Sequence, residues 1–116
     1  MRNTLHLGLL ALTLLAAAGP ADAQEWVLLG KREVNLRAER DAIAVDTDQT
    51  FKKIRLQVVG APVEFLDLEV HFKNGGKQEV AIRANIAAGQ FTRAIDLTGP
   101  VRHISKVSMV YKTKLV

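Results

Sequence analysis

A serine nucleophile is one way in which this chain could catalyse a reaction. A catalytic serine needs a base within hydrogen-bond reach and an oxyanion hole, usually built on a sharp turn around the nucleophile. Ser105 and Ser108 fall inside a predicted strand without a G-x-S-x-G elbow, and the sequence contains no cysteine. We therefore rank an envelope hydrolase lowest among the function classes and expect that the protein is not an enzyme.

Histidine and aspartate side chains raise the question of a metal site. A metal site generally needs three or four converging ligands, and only His71 and His103 follow the N-terminal segment, so two surface histidines are the plainer interpretation. Asp41, Asp46 and Asp48 could offer oxygen ligands to calcium, but they lack EF-hand spacing. Aspartate also stabilises turns by accepting hydrogen bonds from nearby backbone N–H groups. We expect no metal and no other cofactor.

The most distinctive polar grouping is Arg93, Asp96 and Arg102, which flank the turn 98–100. In a regular strand Arg93 and Asp96 fall on opposite faces, so an ion pair between Asp96 and Arg102 across the turn is easier to build. A structural ion pair near a sandwich edge is the plain interpretation. The sharper alternative is an anion-recognition site centred on Arg93 and Arg102.

Basic residues outnumber acidic ones, and the net charge is +4. Clustered basic side chains could meet anionic groups or serve as edge charges that oppose aggregation; they are Lys52, Lys53, Arg55, Lys106, Lys112 and Lys114. No aromatic residues interleave with them as stacking platforms would, so nucleic acid is not an expected partner. The spacing of the aromatic residues instead suggests core anchors, namely Trp26, Phe51, Phe65, Phe72, Phe91 and Tyr111.

The N-terminal 23 residues have the composition of a secretion leader. Arg2 provides a positive start, residues 5–18 form an apolar run, and Ala21-Asp22-Ala23 offers a small-x-small cleavage site. The run is shorter than the roughly 20 residues that a membrane-spanning helix needs. We predict a helical signal peptide over residues 1–23 and its removal. A single domain of residues 24–116 would remain, without a membrane span, exported to the periplasm or secreted.

The rest of the chain has the apolar alternation of strands, separated by Gly, Pro, Asn and Asp. We predict seven strands, at 25–36, 41–46, 51–59, 63–72, 78–82, 91–97 and from 104 to near the C-terminus. Residues 84–90 break the alternation and are predicted to form a loop or one helical turn. The pattern predicts an all-β fold, a seven-stranded antiparallel β-sandwich, with a jelly-roll-like variant or a partly open barrel as the alternative.

Two strands carry specific expectations. Ile54, Leu56 and Val58 alternate with polar residues and should face the core. The apolar phase slips after Phe65, which predicts a β-bulge, and Asn74-Gly75 predicts a tight hairpin turn because both residues tolerate positive φ.

Five short motifs together resemble a family of small exported bacterial β-domain proteins of unknown function. They are Trp26-Val27-Leu28-Leu29-Gly30, Arg40-Asp41-Ala42-Ile43-Ala44-Val45, Phe51-Lys52-Lys53-Ile54, Asn74-Gly75, and Arg93-Ala94-Ile95-Asp96-Leu97-Thr98-Gly99 with Arg102 and Ile104. The resemblance implies an exported β-sandwich-like domain. It implies no activity, cofactor or catalytic residue.

The export signal and the missing catalytic motifs favour a noncatalytic exported interaction module of the bacterial cell envelope. Such a module would contact an envelope component or a protein partner through loop ends or an exposed strand edge. The alternative is a domain that binds a small ligand, an anion or an ion through Arg93 and Arg102, or through the turn of Asp46 and Asp48. The sequence leaves the identity of the partner and the oligomeric state open.

Overall fold

The computed structural model describes residues 10–18, 25–34 and 40–113 of the chain. Within these ranges the protein is all-β and contains no helix, so no helix there could cross a membrane. The strands are β1 (Ala11–Ala17), β2 (Val27–Glu33), β3 (Arg40–Ala44), β4 (Lys53–Val59), β5 (Val63–Phe72), β6 (Lys77–Val80), β7 (Ala84–Ile86), β8 (Ile95–Asp96) and β9 (Ile104–Thr113).

The strands form two open antiparallel sheets. Sheet A has the order β2-β1-β4-β8, and sheet B has the order β3-β9-β5-β6, with β7 pairing beside β6 along β5. The inward side chains of both sheets join one apolar core, because alternate residues along a strand point to the same face. The predicted antiparallel sandwich is confirmed, with nine strands in the described ranges instead of the predicted seven, and the sheets do not close into a barrel.

The alternating pattern places residues on faces correctly. Ile54, Leu56 and Val58 on β4 are completely buried, as predicted. On β5 the register against β9 shifts between Phe65 and Asp67, which confirms the predicted bulge and lets apolar residues on both sides of it reach the core. The faces of these two strands were therefore specified by sequence alone.

The predicted hairpin at Asn74-Gly75 is also confirmed. Gly75 has a φ of 97°, and β5 folds back onto β6. The Asn74 side chain accepts a hydrogen bond of 2.9 Å from the backbone N–H of Gly76, which fixes the turn.

Two segments differ from prediction on the later half of the chain. The predicted loop over 84–90 begins with β7, which pairs with the first residues of β5; so short a strand is decided by its neighbour rather than by its own pattern. The predicted strand at 91–97 is reduced to β8 and a single bridge between Phe91 and Gln57. Here the Thr92 hydroxyl accepts a hydrogen bond of 3.0 Å from the Leu56 N–H and takes the place of a backbone acceptor.

The largest difference concerns the predicted leader, because residues 11–17 form β1 instead of the predicted helix. β1 lies between β2 and β4, and its Leu12, Leu14 and Ala16 are completely buried. A uniformly apolar run has no period that distinguishes a helix from a strand, so the pairing with β4 decides. Cleavage after Ala23 stays a prediction, since residues 19–24 lie outside the described ranges.

Candidate functional site

The outer face of sheet A carries an arginine stacked between two aromatic rings. Arg55 projects outward from β4, because its neighbours Ile54 and Leu56 point into the core. Its guanidinium carbon lies 4.2 Å from the centre of the Trp26 ring and 3.9 Å from the centre of the Phe91 ring. Both distances are within the range of cation–π attraction. The two rings therefore hold this cation in one position.

The surroundings of the Arg55 guanidinium decide what this stack can bind. Among the residues that the structure describes, no carboxylate forms an ion pair with Arg55, and its Nε is buried without a hydrogen-bond partner. The stack is thus preorganised to receive an anionic group.

Exposed apolar side chains lie on the same face of sheet A as this stack. Leu28 is 57% exposed and lies in one cross-strand row with Leu15 and Arg55, and Val59 is 41% exposed at the end of β4. Phe91 itself is 38% exposed. Exposed apolar residues that cluster around a polar group are typical of protein contact surfaces. We name the set Trp26, Leu28, Arg55, Val59 and Phe91 the stacked-arginine face.

The outer face of sheet B carries a second polar cluster. His71 Nε2 lies 2.9 Å from Glu69 Oε1 and 3.2 Å from Ser108 Oγ, and Lys77 Nζ lies 3.5 Å from the other oxygen of Glu69. The three residue types match a hydrolytic triad, but a triad needs the acid and the serine on opposite ring nitrogens. Here both contact the same nitrogen, so this arrangement cannot relay a proton from serine to the acid.

A cavity of about 510 Å³ adjoins this cluster. Its polar lining includes Arg40, Asp67, Glu69 and Ser108, which project outward from three neighbouring strands. The charged lining is mostly acidic, with Asp41, Asp67 and Glu69 against Arg40, but Asp41 already pairs with Arg32 and Glu69 with Lys77. The stacked-arginine face is the more specific surface.

Asp41 forms structural contacts between the two sheets. Arg32 Nε lies 2.7 Å from Asp41 Oδ1 and joins β2 of sheet A to β3 of sheet B, while the Tyr111 hydroxyl donates to Asp41 Oδ2 at 3.4 Å. Burial, and then the negative charge and hydrogen bond of Asp41, raise the pKa of Tyr111 from 10.0 to about 12, although Arg32 opposes this. These contacts occupy both carboxylate oxygens of Asp41.

The residues Arg93, Asp96 and Arg102 contact different partners. Arg93 Nη2 donates to the Ala81 carbonyl at 3.1 Å, and Asp96 lies 3.8 Å from Lys53 Nζ.

The Arg102 side chain stabilises the turn that precedes it. Its Nη1 donates to the Thr98 carbonyl at 2.9 Å and lies 3.1 Å from the Thr98 hydroxyl, and its guanidinium carbon lies 3.6 Å from the centre of the Phe72 ring. The structure therefore does not bring Asp96 and Arg102 together as the ion pair that the sequence suggested. A ligand-binding role of these residues stays a prediction.

The residues of the two metal hypotheses, the aspartates and the two histidines, lie at separate places in the structure. Lys73 Nζ donates to the Thr47 carbonyl at 2.6 Å and lies 3.6 Å from Asp48 Oδ1, so a cation already occupies the turn of Asp46 and Asp48. His71 lies in the sheet B cluster, whereas His103 is exposed at the entry of β9. No group of three or more metal-ligating side chains converges within the described ranges.

Sequence reasoning missed the stacked-arginine face because it assigned its two rings to the core. Trp26 and Phe91 were predicted as core anchors, and both predictions are wrong, whereas Phe51, Phe65, Phe72 and Tyr111 are buried as predicted. One signal was present in β4, where Lys53, Arg55 and Gln57 alternate outward without an acidic residue among them. The approach of the two rings to Arg55 depends on distant segments and has no local signal.

Comparison with known proteins gives one match. A family model described as "Domain of unknown function (DUF2541)" matches residues 8–116, nearly the whole sequence. Neither the curated proteins nor the solved structures contain a match.

Proposed function

The chain belongs to the DUF2541 family of domains of unknown function, and we propose that it is a noncatalytic exported interaction module of the bacterial cell envelope. Its contact surface is the stacked-arginine face. The observation that carries this proposal is the Arg55 guanidinium held between Trp26 and Phe91 at 4.2 and 3.9 Å, on a face of exposed apolar side chains.

The chemistry of this face selects the kind of partner. The guanidinium lacks a carboxylate partner in the described residues, so it favours a partner that supplies an acidic group. The neighbouring Leu28 and Val59 favour apolar side chains beside that group. A protein partner with an acidic residue next to apolar ones meets both requirements, and the net charge of +4 assists its approach.

The export part of the proposal is supported by composition. The positive start, the apolar run and the small-x-small triplet Ala21-Asp22-Ala23 together are the pattern of a cleaved leader. We therefore place the working form in the periplasm or outside the cell, as residues 24–116.

The alternative function, binding of a small ligand, anion or ion through Arg93 and Arg102 or through the Asp46 and Asp48 turn, has no specific observation in its favour. Arg93 and Arg102 donate hydrogen bonds to backbone carbonyl groups, and Asp48 lies near the ammonium group of Lys73. We keep it as the competing outcome of the experiment below.

The experiment is site-specific photocrosslinking of the exported protein in its native cell. A photoreactive residue at Val59 reports on the stacked-arginine face, and one at Glu79, which is exposed on sheet B, reports on the opposite side. We expect discrete protein adducts at Val59 and few at Glu79. The mass of the isolated product shows whether residues 1–23 are absent.

Matched arginine variants test the chemistry. Arg55→Met removes the guanidinium but keeps an apolar side chain between the rings, and we expect adduct yield to fall on the order of tenfold, the usual effect of losing one charged contact. Arg93→Met removes an exposed guanidinium elsewhere and should leave the yield unchanged. Equal losses in both variants, or equal adducts at both probe positions, would contradict the proposed surface, and a loss confined to Arg93→Met would favour the alternative.

A further inference from the structure

The strand β1 occupies a central place in sheet A although its sequence is that of a leader. Thr13 pairs with Lys31 of β2 on one side and with Gln57 of β4 on the other. Its inward residues Leu12 and Leu14 are completely buried. The segment that the proposed processing removes is therefore the segment that covers β4.

Removal of β1 would uncover two things at once. The row of backbone N–H and C=O groups along the β1 side of β4 would lose its partners. The inward side chains of β4 would also lose their buried neighbours on β1, which are Leu12, Leu14 and Ala16. An uncovered strand edge next to apolar side chains readily accepts another strand. The processed chain thus needs a new occupant for this edge.

We infer that the β1 side of β4 is a strand-accepting surface, and that β2 of the same chain fills it after residues 1–23 are removed. The inference rests on the proposed export and processing. It assigns two positions to one segment: an outer place in sheet A before cleavage and a place beside β4 afterwards.

β2 is largely exposed in its outer position, where the Arg32–Asp41 pair of 2.7 Å and the packing of Leu29 against the core hold it. The exposure supports the exchange. None of its residues is buried, and its apolar Val27 and Leu28 are 37% and 57% exposed. It lies next to β1, so the move to β4 is a shift by one strand spacing, about 4.8 Å. The shift gives β2 backbone partners along β4 in place of the β1 partners that it loses, and β2 stays the outer strand of sheet A.

The register of the shifted strand follows from the existing pairs. Because β1 is antiparallel to both neighbours, β2 and β4 run parallel, and mixed sheets of this kind are common. A direct sideways shift sets Lys31 beside Gln57 and Glu33 beside Val59, since each pair now shares one β1 residue. The same shift sets Leu28 beside Arg55 and keeps the stacked-arginine face together.

Connectivity favours β2 over a strand from another molecule. β2 begins only a few residues after the predicted cleavage site and stays in the same chain as β4, so its effective concentration at the edge exceeds that of any free partner. A second copy of the chain is the competing occupant.

The absence of cysteine allows a direct test with engineered disulfides in the exported full-length chain. The pairs Lys31→Cys with Gln57→Cys, and Glu33→Cys with Val59→Cys, join β2 to β4 in the direct register. Lys31→Cys with Val59→Cys, and Glu33→Cys with Gln57→Cys, cover a slip of two residues. With β1 in place each direct pair is about 9.6 Å apart, twice the strand spacing and beyond disulfide reach.

A cleavage-resistant chain provides the control. Replacing Ala21 and Ala23 by Leu removes the small-x-small site and retains residues 1–23. In this background Thr13→Cys with Gln57→Cys should form a disulfide, because the two residues are directly paired, and the β2–β4 pairs should not. All proteins are oxidised after purification and analysed by mass spectrometry.

We expect the processed product to lack residues 1–23 and to form at least one intramolecular β2–β4 disulfide. A processed product that forms none of them overturns the exchange and leaves export standing, and disulfide-linked dimers through the cysteine at position 57 would identify a second copy as the occupant. A product that keeps residues 1–23 overturns the proposed processing and the exchange together. β2–β4 disulfides in the cleavage-resistant chain would also overturn the proposed exchange, because the shift of β2 would then not depend on removal of β1.

Discussion

At the scale of single residues, the interior of the sandwich contains one strongly perturbed acid. The Tyr111 hydroxyl is buried against the Asp41 carboxylate, which Arg32 also contacts. Ionisation of the phenol there would place a second negative charge beside Asp41 in a poorly solvated position. Burial and that neighbour are the reasons that its pKa is raised to about 12.

This shift predicts a specific loss of stability in alkali. The folded-state pKa lies above the ordinary value of 10.0, so the contribution of Tyr111 is complete below pH 10 and is lost as the pH rises toward 12. Over that range the free energy of unfolding should fall more steeply for the parent protein than for Tyr111→Phe. The chain has a single tyrosine, so phenolate absorbance measures the titration directly, and a midpoint near 10 would contradict the assignment.

At the scale of elements, β4 depends on a side chain to complete its second edge. β8 covers only the start of β4, and farther along, the Thr92 hydroxyl accepts a hydrogen bond of 3.0 Å from the Leu56 N–H and donates one of 2.9 Å to the Arg93 carbonyl. The Thr92 N–H donates in turn to the Leu56 carbonyl at 2.8 Å. Thr92 therefore completes the edge at Leu56, and backbone hydrogen bonds to Gly89 and Gln90 continue it at Val58.

Replacement of this hydroxyl should cost more than its size suggests. Thr92→Val keeps the shape but leaves the Leu56 N–H buried without an acceptor, and we expect the free energy of unfolding to fall by about 1–3 kcal/mol. Thr92→Ser keeps the hydroxyl and should lose clearly less. Urea denaturation of both variants measures the difference, and equal losses would show that the methyl group rather than the hydrogen bond matters.

At the scale of the whole molecule, the decisive feature is that the leader-like run takes part in the core. If β1 is a true strand of the uncleaved chain, Leu14→Ala in the cleavage-resistant background should lower the free energy of unfolding by about 2–5 kcal/mol, as expected for a buried leucine. Leu15→Ala, on the outer face of the same strand, should cost less. Chemical denaturation of the two variants tests this. An unchanged free energy of unfolding for Leu14→Ala would mean that residues 11–17 do not pack in the core.

The amino-acid sequence is enough to predict which side of most strands is buried. Ile54, Leu56 and Val58, the slip after Phe65 and the turn at Asn74-Gly75 were all readable, because strand alternation and turn chemistry are local properties. The all-β sandwich follows from repetition of such signals.

Contacts between segments that are distant in sequence are visible only in the folded protein. The mostly apolar run 11–17 becomes a strand by pairing with β4, and residues 84–86 become a strand by pairing with β5. The tertiary structure also separates Asp96 from Arg102 and sets Arg55 between Trp26 and Phe91. Alternation fixes the face of a side chain but not the identity of the adjacent strand, and each of these contacts is made between segments whose proximity has no local signal.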